Sequence, residues 1–213
     1  MRKKPSFQMQ ECTAKNCQFR FPVIEAEGSM NSCPKCGAPL KKTGHSYGRH
    51  LVKKERFAQN AFEIEVLLDN IRSIYNVGSI FRTAVSAGIS KLHLCGITAT
   101  PENPRLAKTA LGAEEFIAWQ YHTNALYAAK SLHDEDFSLW AIEGGEEAKS
   151  LFSLKPPQNK QKILLIIGNE LAGIDPEVMK ISERILYIPM QGGKESLNLT
   201  VAFGIVAYFL RYL

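Results

Sequence analysis

An α/β domain built on a mostly parallel sheet with helices on both faces, preceded by a small cysteine-rich module, is the fold class this sequence predicts. Three observations predict it. From Glu63 onward, short apolar runs alternate with segments of helical periodicity, the pattern of successive strand and helix units. Cys12, Cys17, Cys33 and Cys36 fall inside 25 residues, while Cys95 stands alone much later. The charge divides after Arg56: residues 1–56 hold 12 Lys and Arg against 4 Asp and Glu, and residues 57–213 hold 14 against 17, giving +8 and −3. These features divide the chain into a module over 1–45, a basic linker over 46–62 and a main domain over 63–213.

In chain order, Glu11 to Leu40 is too short and too poor in large aliphatics to fold on an apolar core, and needs a staple. Lys41 to His50 contains Gly44, Gly48 and several cations without apolar periodicity, which predicts a mobile connection. Ile64–Leu68 predicts the first strand, Val77–Ala87 a helix and Leu92–Cys95 a second strand. Phe116–Tyr121, Phe137–Ile142, Ile163–Ile167 and Ile185–Ile188 follow as further strands. Helices are predicted over Asn124–Leu132, Pro176–Ile181 and Ser196–Leu213.

Cys12 and Cys17, then Cys33 and Cys36, form two close pairs separated by fifteen residues. A tight turn within each pair can aim two thiolates at one point, and Gly37 supplies the freedom the second turn needs. Four sulfurs complete a tetrahedral zinc and leave no position for water, so a structural zinc ribbon is expected rather than a catalytic site. The bland alternative is a reduced cluster that folds only in part. His45 and His50 are read as linker residues, and Cys95 as a small buried hydrophobe.

No apolar run reaches the roughly 18 residues that span a bilayer, and the N-terminal residues are basic and polar. A soluble, cytoplasmic protein without a membrane partner is the expectation. The basic N-terminal block suits a polyanion, because cations gain affinity by releasing counterions from phosphates. An ordinary solvated tail would carry the same charge.

Three segments of the main domain join functional side chains to glycines where strands should end. The first runs Asn76-Val-Gly-Ser-Ile-Phe-Arg82-Thr-Ala after the first strand; Asn76 can cap the helix, and Arg82 can reach an anion held near its start. By itself Arg82 would read as a surface cation. The second is Gly168-Asn-Glu170-Leu-Ala-Gly173-Ile, where a buried strand runs into a glycine turn; Glu170 emerges where an open sheet places its ligand crevice, and Gly168 would admit a ligand close to the backbone. The third is Ile188-Pro-Met190-Gln-Gly-Gly-Lys-Glu-Ser196-Leu197-Asn198, a strand end, a flexible loop and a helix start. Helix capping is the plain explanation for Ser196 and Asn198 there.

Together, NxGSIxRTA, GNExxGI and IPMxxxxESLNxxVAxGI resemble the SpoU family of the SPOUT superfamily, in that family's order and spacing, over roughly residues 64–213. Leu171 stands where many members have glycine, and Leu199-Thr200 replaces the commoner Val-Ser. The resemblance implies a C-terminal trefoil knot, an exception to the rule against knots, and a homodimer with active sites at the subunit interface. It also implies an RNA ribose 2'-O-methyltransferase acting on tRNA or rRNA. S-adenosylmethionine is expected to contact Gly168, Ile188 and Leu197 mainly through backbone groups, with Met190 nearby. Arg82, Asn76, Glu170, Ser196 and Asn198 match the family's catalytic and site-shaping residues. A guanidinium is a poor base in neutral water, so Arg82 is expected to stabilise a developing alkoxide; Glu170 could orient Arg82 or the ribose.

Two other readings stand beside this one. A dinucleotide-binding dehydrogenase or a P-loop phosphotransferase would need GxGxxG or GxxxxGK[ST], and the sequence contains neither. A non-catalytic zinc-ribbon RNA-binding protein could keep the knotted fold, but the intact Arg82 and the Ser196-x-Asn198 pair speak against it.

Overall fold

The computed structural model describes residues 5–48, 62–159, 161–193 and 196–213. The chain divides into two units, Met1–Arg56 and Phe57–Leu213; the break falls where the charge balance changes sign.

In the first unit β1 (Ser6–Cys12), β2 (Arg20–Ile24) and β3 (Leu40–Gly48) form an antiparallel sheet in the order β2-β1-β3. The expectation of a mobile connection from Lys41 is corrected over its described part, because Leu40–Gly48 is a strand. Its polar sequence carries no apolar alternation; its register comes from β1, with Cys12 opposite Leu40 and Ser6 opposite Gly48. Residues 49–61 of the expected linker lie outside the described residues.

The second unit runs β4 (Phe62–Asp69), α1 (Ile74–Ala87), β5 (Lys91–Cys95), α2 (Pro104–Ala110), β6 (Ala118–His122), α3 (Ala125–Asp134), β7 (Ser138–Ile142) and β8 (Lys149–Ser150). It continues with β9 (Gln161–Ile167), α4 (Pro176–Lys180), β10 (Arg184–Tyr187) and α5 (Leu199–Tyr212). The seven strands lie in the order β6-β5-β4-β9-β7-β10-β8, and every pairing is parallel. Two late strands are thus inserted between earlier ones: β9 between β4 and β7, and β10 between β7 and β8.

Strand alternation divides the core. Ile64, Val66, Leu68, Leu165 and Ile167 pack with Val77, Phe81, Leu106 and Phe203 of α1, α2 and α5. On the other face Leu67, Leu164 and Ile166 pack with Ala129 and Val178 of α3 and α4. The expected arrangement of helices on both faces is therefore present.

Local differences have simple causes. Ser73, not Asn76, caps α1; its side chain accepts from the Asn76 N–H at 3.3 Å. Helix α5 begins at Leu199 with Asn198 as its cap, so Ser196 belongs to the preceding loop. Phe116 closes a short 3-10 turn over Ala113–Glu115, and β6 starts two residues beyond it. Cys95 is fully buried; burial and the Asp69 carboxylate push its thiol up to about 12, which keeps it a neutral core group.

Candidate active site and metal centre

The strand order reverses at β4 and β9. The chain leaves β4 toward β5 and β6, and returns through β7 before laying β9 against β4. The loops following two such strands diverge and leave a crevice at their carboxyl ends. Here that crevice is a cleft of about 1080 Å³. Asn76, Gly168, Glu170, Ile188, Met190, Ser196, Leu197 and Asn198 all line it. Thus eight of the nine residues singled out from the sequence for catalysis or cofactor contact meet in one place.

Glu170 is the hub on one wall. Its Oε2 accepts from the Arg72 N–H at 2.9 Å, and its Oε1 accepts from the Ser73 N–H at 3.0 Å and the Asn76 Nδ2 at 2.8 Å. These donors sit at the start of α1, where backbone N–H groups lack partners inside the helix and favour a negative charge. Burial pushes the Glu170 carboxyl up, but the N–H groups of Arg72 and Ser73 and the Asn76 amide outweigh it and hold it below the ordinary value. The carboxylate is an acceptor with its geometry fixed by α1. Its bonding partners do not include Arg82, so an orienting role toward that guanidinium has no contact behind it here.

The turn that projects Glu170 is built by Asn169. Its Oδ1 accepts from the N–H groups of Leu171 and Ala172, both at 3.0 Å, and its Nδ2 donates to the Asn70 carbonyl at 2.6 Å. Asn169 and Gly173 also exchange two backbone bonds of 2.9 Å. A Cβ on Gly168 would lie 2.4 Å from the backbone of Gly173 and Ile174. Closure of this loop on itself is thus a second reason for glycine here, beside the close approach of a ligand expected at this cleft position. Leu171, at the glycine position of many family members, is 80% exposed, and the substitution leaves the turn intact.

Behind the wall, buried Asp69 accepts from the Asn70 amide at 2.8 Å and from the Asp175 N–H at 2.9 Å. It ties the end of β4 to the start of α4. Neither Asn169 nor Asp69 was singled out in the sequence. The signal for Asn169 was its place between Gly168 and Glu170; Asp69 stands at the end of an apolar run, where nothing local marks its partner Asp175.

The cleft's lining also includes the apolar Ile142, Leu186, Ile188, Met190 and Leu197. The Asn198 Oδ1 accepts from the Thr200 N–H at 2.9 Å and the Thr200 hydroxyl at 2.6 Å. Apolar side chains, a few polar groups and strand-end backbone in one cleft fit a cofactor with an adenosine and a charged tail.

Arg82 stands apart. It is exposed on α1 and does not line the cleft. At about 1.5 Å and 100° per residue it lies roughly 9 Å along the helix from Asn76 and about 120° around it.

In the first unit the four cysteine sulfurs lie within 4.8 Å of one another. Cys12 and Cys36 are 3.5 Å apart, and Cys17 and Cys33 3.8 Å. A tetrahedron with Zn–S bonds of about 2.3 Å has edges of roughly 3.8 Å, so the group fits zinc. The Gly37 N–H donates to the Cys33 carbonyl at 2.8 Å, closing the second turn.

Comparison with known proteins agrees with this geometry. Residues 63–208 match the SpoU rRNA Methylase family. A 23S rRNA (guanosine(2553)-2'-O)-methyltransferase of Bacillus subtilis is 30% identical over 148 residues, which cover 68% of this chain and 57% of the relative. A tRNA (guanosine(18)-2'-O)-methyltransferase of Aquifex aeolicus is 25% identical over 147 residues, 68% of this chain and 67% of the relative. Among solved structures, an AdoMet-bound rRNA methyltransferase from Sinorhizobium meliloti superposes with a TM-score of 0.65 at 27% identity, covering 70% of this chain and 56% of the other. The chain therefore spans between little more than half and two thirds of these relatives.

Proposed function

This chain belongs to the SpoU rRNA Methylase family, which its residues 63–208 match, and from that premise we propose that it methylates a ribose 2'-hydroxyl of tRNA or rRNA with S-adenosylmethionine. The observation that carries the reading is the meeting of the three motifs in one cleft at the β4/β9 crevice. When bound, the cofactor's sulfonium supplies an already activated methyl group. The protein's share is then to orient the hydroxyl and to ease loss of its proton.

Glu170 and Asn76 fix the start of α1 relative to the cleft. Ser196 and Asn198 line the same cleft, and Gly168, Ile188, Met190 and Leu197 offer the surface for the cofactor. Arg82 is assigned to the developing alkoxide or an adjoining phosphate, where a fixed cation is worth most. A homodimer supports that role, because Arg82 lies off its own chain's cleft. Val201, Tyr208 and Tyr212 of α5 are exposed at 49%, 41% and 69%, an outward surface suited to a second copy. The insertion of β10 between β7 and β8 supports a threaded C-terminal part, and the four cysteines support one structural zinc. Among the described residues no helix is long and apolar enough to cross a membrane; the compartment proposed is the cytoplasm, a reading that the tRNA or rRNA substrate supports.

Incubating the full chain with cellular RNA and labelled S-adenosylmethionine tests the proposal. Label should enter tRNA or rRNA. Cofactor binding without transfer to any RNA would favour the non-catalytic RNA-binding alternative.

A further inference from the structure

Strand β1 reverses the ordinary alternation of a half-buried strand. Gln8 and Gln10 are 9% and 2% exposed, whereas Phe7 and Met9, which point to the opposite face, are only partly covered. The buried amides are satisfied. The Gln8 Nε2 donates to the carbonyls of Thr43 and Gly44 at 2.8 and 3.1 Å, and Gln10 exchanges two bonds with the Met30 backbone at 3.0 and 3.1 Å. The polar side chains thus share the buried face of β1 with Cys12, and the apolar ones are left on the sheet's other face. Stability does not ask for that arrangement, since apolar groups gain by leaving water.

The register assembles that outer face. Phe7 stands between Ile24 and Tyr47, and Glu11 between Arg20 and Lys41. The Phe7 and Tyr47 rings are 5.9 Å apart and tilted by 31°. The Tyr47 hydroxyl donates to the Met9 sulfur at 3.2 Å; Tyr47 remains 41% exposed. At the far end Glu11 bridges Arg20 at 2.9 Å and Lys41 at 3.3 Å. One carboxylate holds two cations side by side, and positive charge is left over. Among the described residues of this unit Lys15, Arg20, Lys35, Lys41 and Lys42 stand against Glu11, Glu25 and Glu27.

We propose that this face is a platform for unpaired RNA: Phe7 and Tyr47 stack bases, and Arg20 and Lys41 take the neighbouring phosphates. Flat aromatic side chains on an open sheet beside cations are the arrangement by which single-stranded nucleic acid is held without sequence preference. A protein partner would favour a face poor in lysine. The proposal rests on the reading that RNA is the substrate, and adds where the first unit grips it.

The test uses the full chain with its zinc and a labelled oligouridylate of about a dozen nucleotides carrying 4-thiouridine. Photocrosslinks should map to peptides containing Phe7 or Tyr47. Tyr47→Ala should weaken binding roughly tenfold or more while leaving its salt dependence unchanged, Tyr47→Phe should bind as wild type, and Lys41→Ala should flatten the salt slope by about 0.7. Zinc content and S-adenosylmethionine affinity should not move in any variant. Crosslinks confined to residues 57–213, or wild-type affinity in Tyr47→Ala, would overturn the platform while leaving the methyltransferase reading in place. Loss of S-adenosylmethionine binding by the wild-type chain would strike that reading instead.

Discussion

Replacing Glu170 with Gln removes one acceptor oxygen from a carboxylate that takes three donors at the start of α1. An unmatched donor there should cost about 1–3 kcal/mol. The pH dependence has a definite sign. The Glu170 carboxyl is pushed up by burial but held by its donors below its ordinary value of 4.5. An acid depressed in the folded state stabilises above its unfolded value, and that contribution is lost as pH falls through the folded value. Melting curves should show wild type losing this increment below about pH 4.5, and Glu170→Gln should lack it; an identical acid limb in both would refute the role. Arg82 makes a different prediction. Because it lies outside the cleft lining, Arg82→Ala should abolish methyl transfer with S-adenosylmethionine affinity nearly unchanged, and Arg82→Lys should rescue little, since an ammonium lacks the planar fork of donors. Calorimetry beside single-turnover rates separates the two effects, and substantial turnover in Arg82→Ala would assign the hydroxyl proton to another group.

Helix α1 is fastened at both ends by residues distant in sequence. Glu170 holds its start. At its end the buried Arg211 of α5 donates from Nε to the Ala87 carbonyl at 2.6 Å and from Nη2 to the Gly88 carbonyl, the favourable sign of charge for a helix C-terminus. The helix itself was legible, because Val77, Ile80, Phe81 and Ala84 recur at helical spacing; its fasteners were not, because they are non-local. Other elements were hidden for local reasons. Helix α2 has 7 residues and β8 has 2, too few to show a period, and β3 is a polar strand whose order comes from β1. At the loop after β9, a Cβ on Gly168 would overlap the Gly173 and Ile174 backbone. Gly168→Ala should therefore displace Glu170, lowering stability by about 1–3 kcal/mol and weakening cofactor binding. Unchanged melting and unchanged affinity together would show that the loop yields at little cost.

For the whole molecule, charge and cysteines pointed to two parts, and the chain divides into two units; the three motifs named residues that meet in one cleft. It did not carry the strand order: alternation of strand and helix is the same whether β9 lies at an edge or between β4 and β7. The first unit should hold one zinc by elemental analysis, and chelation should remove hydrogen-exchange protection from β1–β3 while β4 and β9 keep theirs; full protection in zinc-free protein would contradict a metal staple. The chemical identity of the acceptor is decided by alkaline hydrolysis of RNA labelled by the full chain. Alkali cleaves RNA through the free 2'-hydroxyl, so a methyl group on that oxygen blocks the adjacent cut. Ribose methylation should leave label in alkali-resistant dinucleotides, absent when Arg82→Ala is used. Label released in mononucleotides would place the methyl on a base and contradict it.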